Sequence, residues 1–130
     1  MNISKEIIRT NAAPAPIGPY NQAIKAGGMV FISGQIALDL TTGELYNGGD
    51  IAEETQRVME SLKAILAAAG TDFSMVVKTS IFLLDMSVFG AVNEVYSHYF
   101  EGLVAPARET VAVVGLPKGA KVEISMIAIA

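Results

Sequence analysis

The segment KVEISMIAIA, Lys121–Ala130, closes in a run, Met126 to Ala130, that is apolar at odd and even positions alike. Side chains on a strand alternate between two faces, so a strand apolar in both parities is expected to be buried on both. SIFLL, Ser80–Leu84, reads the same way. Both segments therefore belong inside a sheet covered on each side.

Working outward, KVEISMIAIA follows a second β segment, RETVAVVGL, Arg108–Leu116, through Pro117, Lys118 and Gly119, residues that suit a turn. MVVKTSIFLL, Met75–Leu84, is rich in β-branched residues and ends at Asp85, which predicts a strand. From Ser87 to about Glu101, Phe89, Val92, Tyr96, Tyr99 and Phe100 recur at helical spacing, with the polar Asn93 on the same stripe.

The clearest helix is GDIAEETQRVMESLKAILAAAG, Gly49–Gly70, with Asp50 as N-cap, Glu53 at the capping-box position and Gly70 as the C′ glycine. Its inward stripe is Ile51, Thr55, Val58, Leu62, Ile65, Leu66 and Ala69. Upstream, YNQAIKAGGMVFISGQIAL, Tyr20–Leu38, reads as two short β runs joined at Gly27-Gly28, which supply the positive φ angles of a tight hairpin. Gly34 marks a bulge or bend and Gly43 a turn. Pro14, Pro16 and Pro19 make the lead-in extended.

The order βββ, α, β, α, ββ predicts an α+β fold of roughly six strands with both helices on one face. Two helices cover one face of a sheet. The other face is then expected to meet a second copy of the chain, giving a homo-oligomer.

At 130 residues the chain fits one domain, 1–130. It is 52% hydrophobic with a mean hydropathy of +0.45, yet no uncharged apolar run approaches the roughly 20 residues of a membrane helix. The charged start, with Lys5, Glu6 and Arg9, lacks the features of a secretory signal, so a cytoplasmic location is expected. With no cysteine and one histidine, neither a Cys-based zinc site nor a multi-histidine metal site can form in one chain. A net charge of −4 with scattered basic residues argues against nucleic acid as a partner.

A few polar residues do not fit the apolar pattern. Arg108 opens a nearly apolar run that reads as a buried strand, and it shares its strand parity with Thr110 and Ala112, so its guanidinium points to one face. It is either an edge arginine that reaches water or pairs with Glu109 or Glu123, or a bidentate clamp for a carboxylate. Glu123 is either a solvated strand residue beside Lys121 and Ser125 or a group that holds a water for reaction. Asn93 and Ser33 can satisfy backbone groups, and Tyr20 can be core packing with its hydroxyl outside. His98 lies off its helix's apolar stripe and has no expected role.

These residues fall in blocks that resemble the Rid (reactive intermediate deaminase, YjgF-type) family. IGPYNQAIKAGGMVFISGQIALD resembles the family's GPY(S/N)QA and SGQ blocks, and APARETVAVVGLPKGAKVEISMIA resembles its PAR…V…LP…E ending. The resemblance spans nearly the whole chain. It implies a chorismate-mutase-like α+β fold, a sheet backed by two helices, assembled as a homotrimer with a cleft at each subunit interface. It further implies hydrolysis of enamines and imines, such as 2-aminoacrylate, 2-iminopropanoate and 2-iminobutanoate, to 2-oxo acids and ammonia, with no metal or organic cofactor.

By the same resemblance Arg108 would bind the substrate carboxylate and Glu123 would position the attacking water. Tyr20, Ser33 and Asn93 match the family's pocket residues, and Gly34 would permit close backbone approach. Thr110 stands where the archetypal members carry cysteine, a residue that acts there mainly through its backbone. Two other readings compete. One is a trimer that binds 2-oxo acids without turnover, and the other is an RNA-cleaving role, which the acidic pI of about 4.9 disfavours.

Overall fold

Asp50 begins the longest helix, α1 (Ile51–Ala68), by accepting a bond from Glu53 N at 3.0 Å. The reciprocal half of the predicted capping box is not made. The Glu53 carboxylate instead accepts the Tyr46 hydroxyl at 2.9 Å. At the other end α1 has no basic residue in its last turn, and Lys25 Nζ donates to Ala69 O at 3.1 Å in its place. Gly70 follows at φ +80°, the left-handed conformation that stops a helix.

The computed structural model describes residues 4–46 and 49–130. The remaining elements are β1 (Glu6–Ile8), β2 (Ala23–Ala26), β3 (Met29–Gln35), β4 (Val76–Leu83), α2 (Phe89–His98), β5 (Ala107–Ala112) and β6 (Val122–Ile129). They form one six-stranded mixed sheet in the order β1-β2-β3-β6-β4-β5. The element order and the α+β class are those the sequence predicts. Gly27 and Gly28, at φ +59° and +77°, close the β2–β3 hairpin.

β6 pairs antiparallel with both β3 and β4, so β3 and β4 run parallel to one another, and β4 runs parallel to β5. The connections β3-α1-β4 and β4-α2-β5 are therefore two crossovers that advance in the same direction across the sheet. Parallel crossovers are right-handed almost without exception, which places both helices on one face. Burial agrees: Val30, Ile32, Thr79, Ile81, Leu83, Val122, Ile124 and Met126 form the sheet's half of a core completed by Val58, Leu62, Ile65 and Leu66 of α1 and Val92 and Tyr96 of α2.

β4 and β6 alternate between buried and less buried positions, so within one chain they are covered on the helix side only, as two helices on one face require. The opposite face carries an apolar stripe in register across four strands, Ile7, Ile24, Phe31 and Ile127, with Phe31 48% exposed. The apolar run after Arg108, expected to be buried, is not. β5 is a sheet edge, Val111 is exposed and Val114 stands fully in solvent, because strand parity is read locally whereas edge position depends on distant partners.

The Asp50 cap gives a direct test of how α1 begins. Asp50→Ala should lower stability by about 1 kcal/mol, read as a shift in the urea midpoint with an unchanged slope.

Candidate active site

Arg108 is register partner to Thr79, which is fully buried on the helix side, so the guanidinium extends toward α2. There Nη1 donates to Asn93 Oδ1 at 2.8 Å. The guanidinium carbon stands 5.0 Å from the centre of the Tyr96 ring and 5.8 Å from that of Phe89. Tyr96 is itself fixed by donating to Thr79 Oγ1 at 3.0 Å. One amide and two aromatic rings thus hold a cation at an open sheet edge.

No carboxylate among the described residues neutralises that cation. Glu109 is taken by Lys78 Nζ at 2.8 Å and by the Ser80 hydroxyl, and these contacts hold its carboxyl below the usual range. Both pairings open to a surface arginine, with Glu109 and with Glu123, are therefore unmade. A guanidinium has five N–H donors, so most of this fork remains free for an anion. Thr110 lies on the same side of β5, two residues on, and its Oγ1 is buried without a partner among the described residues.

Glu123 belongs to a second group. It is in register with Phe82, and Phe82 with Val111, which puts its carboxylate on the face away from the helices and so opposite Arg108. Gly34 lies directly beneath it, where the β3–β6 register breaks between Ile32 and Gln35. A Cβ on Gly34 would stand 2.6 Å from Glu123 Oε2 and 2.7 Å from Cδ, so the carboxyl occupies the space a side chain would need. The bulge read from the sequence is a docking place for Glu123.

Tyr20, Gly34 and Glu123 line a cavity of about 190 Å³ whose other walls include Pro14, Pro16, Ile17 and Pro117. Half-buried there, the Glu123 carboxyl is pushed above the ordinary glutamate range, and loss of hydration is the cause. Tyr20 is exposed, its hydroxyl accepting from Ile17 N at 3.4 Å, so it is a cavity wall and not core. Ser33 donates to Asn21 O at 2.6 Å and adjoins Tyr20 in a neighbouring shallow depression.

One chain therefore brings the named residues into two separate half-sites. Arg108, Asn93 and Thr110 lie between β5 and α2, and Tyr20, Ser33, Gly34 and Glu123 lie at the other face. Sequence reasoning missed the aromatic support of Arg108. Its signal was present, since Phe89 and Tyr96 stand four before and three after Asn93 and so share its helical stripe. His98 is exposed. No helix among the described residues is long and apolar enough to cross a membrane.

A mixed sheet with two one-sided crossovers, an uncompensated arginine at its edge and a carboxylate seated on a glycine together describe a small α+β protein with helices on one side of its sheet. The family model described as Endoribonuclease L-PSP matches residues 10–130, and the chain belongs to that family, the YjgF/Rid family. It is 52% identical to Protein DfrA of Myxococcus xanthus, over 98% of this chain and 97% of that one. It is 47% identical to the 2-iminobutanoate/2-iminopropanoate deaminase of Mus musculus, over 98% and 93%. Among solved structures, E. coli TdcF with bound serine superposes at a TM-score of 0.90 with 39% identity, covering 96% of this chain and 98% of that one.

The Glu123 half-site yields two predictions. A carboxyl whose pKa is raised by folding stabilises the fold where it is protonated, and that contribution is lost as pH rises through the raised value. Glu123→Gln should therefore raise the urea midpoint at neutral pH, with the gain vanishing in acid where wild-type Glu123 is also neutral. Gly34→Ala should displace the Glu123 carboxyl and lower its titration midpoint, as followed by carboxyl NMR.

Proposed function

We propose that the chain is an enamine and imine deaminase that converts small 2-imino acids to 2-oxo acids and ammonia. The observation that carries this reading is the Arg108 guanidinium, held by Asn93 Oδ1 and two rings and left without a carboxylate. A planar fork of this kind matches the carboxylate of a 2-imino acid. The printed name of the mouse relative and the serine in the TdcF structure, a small amino acid with its own carboxylate, support the reading.

In the mechanism, Arg108 fixes the substrate carboxylate. An enamine first takes a proton at its terminal carbon to give the iminium. Glu123 accepts a hydrogen bond from a water whose oxygen bonds to the electrophilic carbon as the C=N π pair moves to nitrogen. The proton released by the water passes to the carboxylate and then to the amine nitrogen. The hydroxyl proton passes to the Glu123 carboxylate as the C–N bond breaks, so ammonia leaves and the carbonyl forms, and the carboxyl returns that proton to the departing ammonia or to water. An iminium is already activated, so positioning and a weak base supply the gain, and a carboxyl of raised pKa suits that duty.

This chemistry needs Arg108 and Glu123 at one substrate, while a single chain sets them on opposite faces of its sheet. We propose that the two half-sites meet across the interface of a homotrimer, with Arg108, Asn93 and Thr110 from one copy and Tyr20, Ser33, Gly34 and Glu123 from the next. The exposed apolar stripe on the uncovered sheet face supports such an assembly.

The test is loss of 2-iminobutanoate and 2-iminopropanoate, generated in situ and trapped with semicarbazide. Wild type should accelerate imine loss, and Arg108→Ala should reduce kcat/KM by about 100-fold or more. Tight 2-oxobutanoate binding with no acceleration would instead assign a binding trimer. Arg108→Ala and Glu123→Gln chains, each inactive alone, should regain part of the activity when unfolded together and refolded as a mixture, because some interfaces then pair an intact Arg108 with an intact Glu123. Failure to regain activity in mixed trimers would place both residues of each site in one copy.

A further inference from the structure

The segment Thr10–Tyr20 walls the Glu123 cavity without belonging to the sheet, and its three prolines lack the N–H groups with which a strand would hold it. Gln22 holds it instead. Its side chain is only 3% exposed. Oε1 accepts from Thr10 N at 2.8 Å, and Nε2 donates to Thr10 O at 3.0 Å, Ala13 O at 3.2 Å and Pro14 O at 2.9 Å. A carboxamide has two N–H groups, so three carbonyls share them, and both ends of the group are used.

Gln22 is itself seated by the sheet, since Ser33 N donates to Gln22 O at 2.9 Å. At the far end of the segment, Tyr20 accepts from Ile17 N and its own N–H donates to Gly18 O at 2.8 Å. Between these two anchor points Pro14, Ala15, Pro16 and Ile17 face Gly34 and Glu123 across the cavity. Gln35, Pro117 and Gln22 itself also line this cavity, and loss of hydration is the cause that raises the Glu123 carboxyl, so how closely the wall approaches bears directly on it.

We infer that Gln22 is a positioning residue for Glu123: its buried carboxamide fixes the Thr10–Pro14 strap, and the strap sets the wall that limits access of water to the carboxylate. This rests on the reading of Glu123 as the group that orients the attacking water. A glutamine that served folding alone would change stability when replaced and leave the titration of Glu123 where it was.

Two variants test this. Gln22→Met keeps the side-chain volume and removes all four bonds, while Thr10→Pro leaves the buried amide in place and removes the N–H that Oε1 accepts, together with the Thr10 hydroxyl that accepts from Ala12 N within the strap. Thr10 does not line the cavity, so any effect it has on Glu123 passes through the strap. Glutamate carboxyl NMR, with Glu123 assigned against Glu123→Gln, is followed beside the pH profiles of kcat and KM for 2-iminobutanoate. In Gln22→Met the Glu123 midpoint should fall toward the ordinary range, the acid limb of kcat should move with it, and kcat should drop roughly 10-fold with a smaller change in KM. Thr10→Pro should shift both in the same direction by less.

Folded variants whose Glu123 titration and acid limb coincide with wild type overturn the inference. If Gln22→Met does not fold, Thr10→Pro decides alone. Absence of turnover in wild type overturns the deaminase reading, whereas the carboxyl titration still reports on Gln22.

Discussion

The antiparallel pairing of β6 with both β3 and β4 is the constraint from which the rest of the molecule follows. It makes β3 and β4 parallel although they are not neighbours, so the chain must cross over β6 to join them. α1 is that crossover, and α2 repeats the step to reach β5. The handedness of such connections then leaves no choice of side for either helix. One face of the sheet receives the main core, a smaller cluster of Ile36, Leu38 and Ala120 stands apart from it, and the other face is left with Ile24, Phe31, Phe82 and Ile127.

The same register fixes the chemistry. Along β4, Thr79 and Phe82 have opposite parity, and they stand in line with Arg108 on one neighbour and Glu123 on the other. A one-residue slip of either pairing would send that side chain to the other face. The supports of the two groups are distinct, an amide with aromatic rings for Arg108 and a missing side chain at Gly34 for Glu123.

Much of this was legible in the sequence where the signal was local. Asp50 and Gly70 bounded α1, the glycine pair marked the hairpin, Gly34 marked the bulge, and Asn93 on an apolar stripe announced an inward polar contact. What was not legible depended on partners far along the chain. Glu6–Ile8 carries too few residues to show a strand pattern and becomes β1 only because β2 offers it an edge. The apolar residues after Arg108 suggested burial, yet β5 has a neighbour on one side only. Glu53 sat where a capping box needs it, and a tyrosine from outside the helix took its carboxylate. The site residues were named by their blocks; their division between two faces required the register.

The uncovered stripe of Ile7, Ile24, Phe31 and Ile127 also bears on the time between synthesis and assembly. A lone chain displays an apolar surface that runs out to the unpaired edge of β1, the kind of surface that sticks to any similar one it meets. For the proposed trimer this sets a race between encounters, correct docking being second order in chain concentration and capture by unrelated surfaces depending on crowding. The charged pair Lys78 and Glu109, on β4 and β5, keeps water close to one corner of the face and biases the race. In the trimer proposed above, supply of new chains, as much as affinity, would govern how many assemblies are completed.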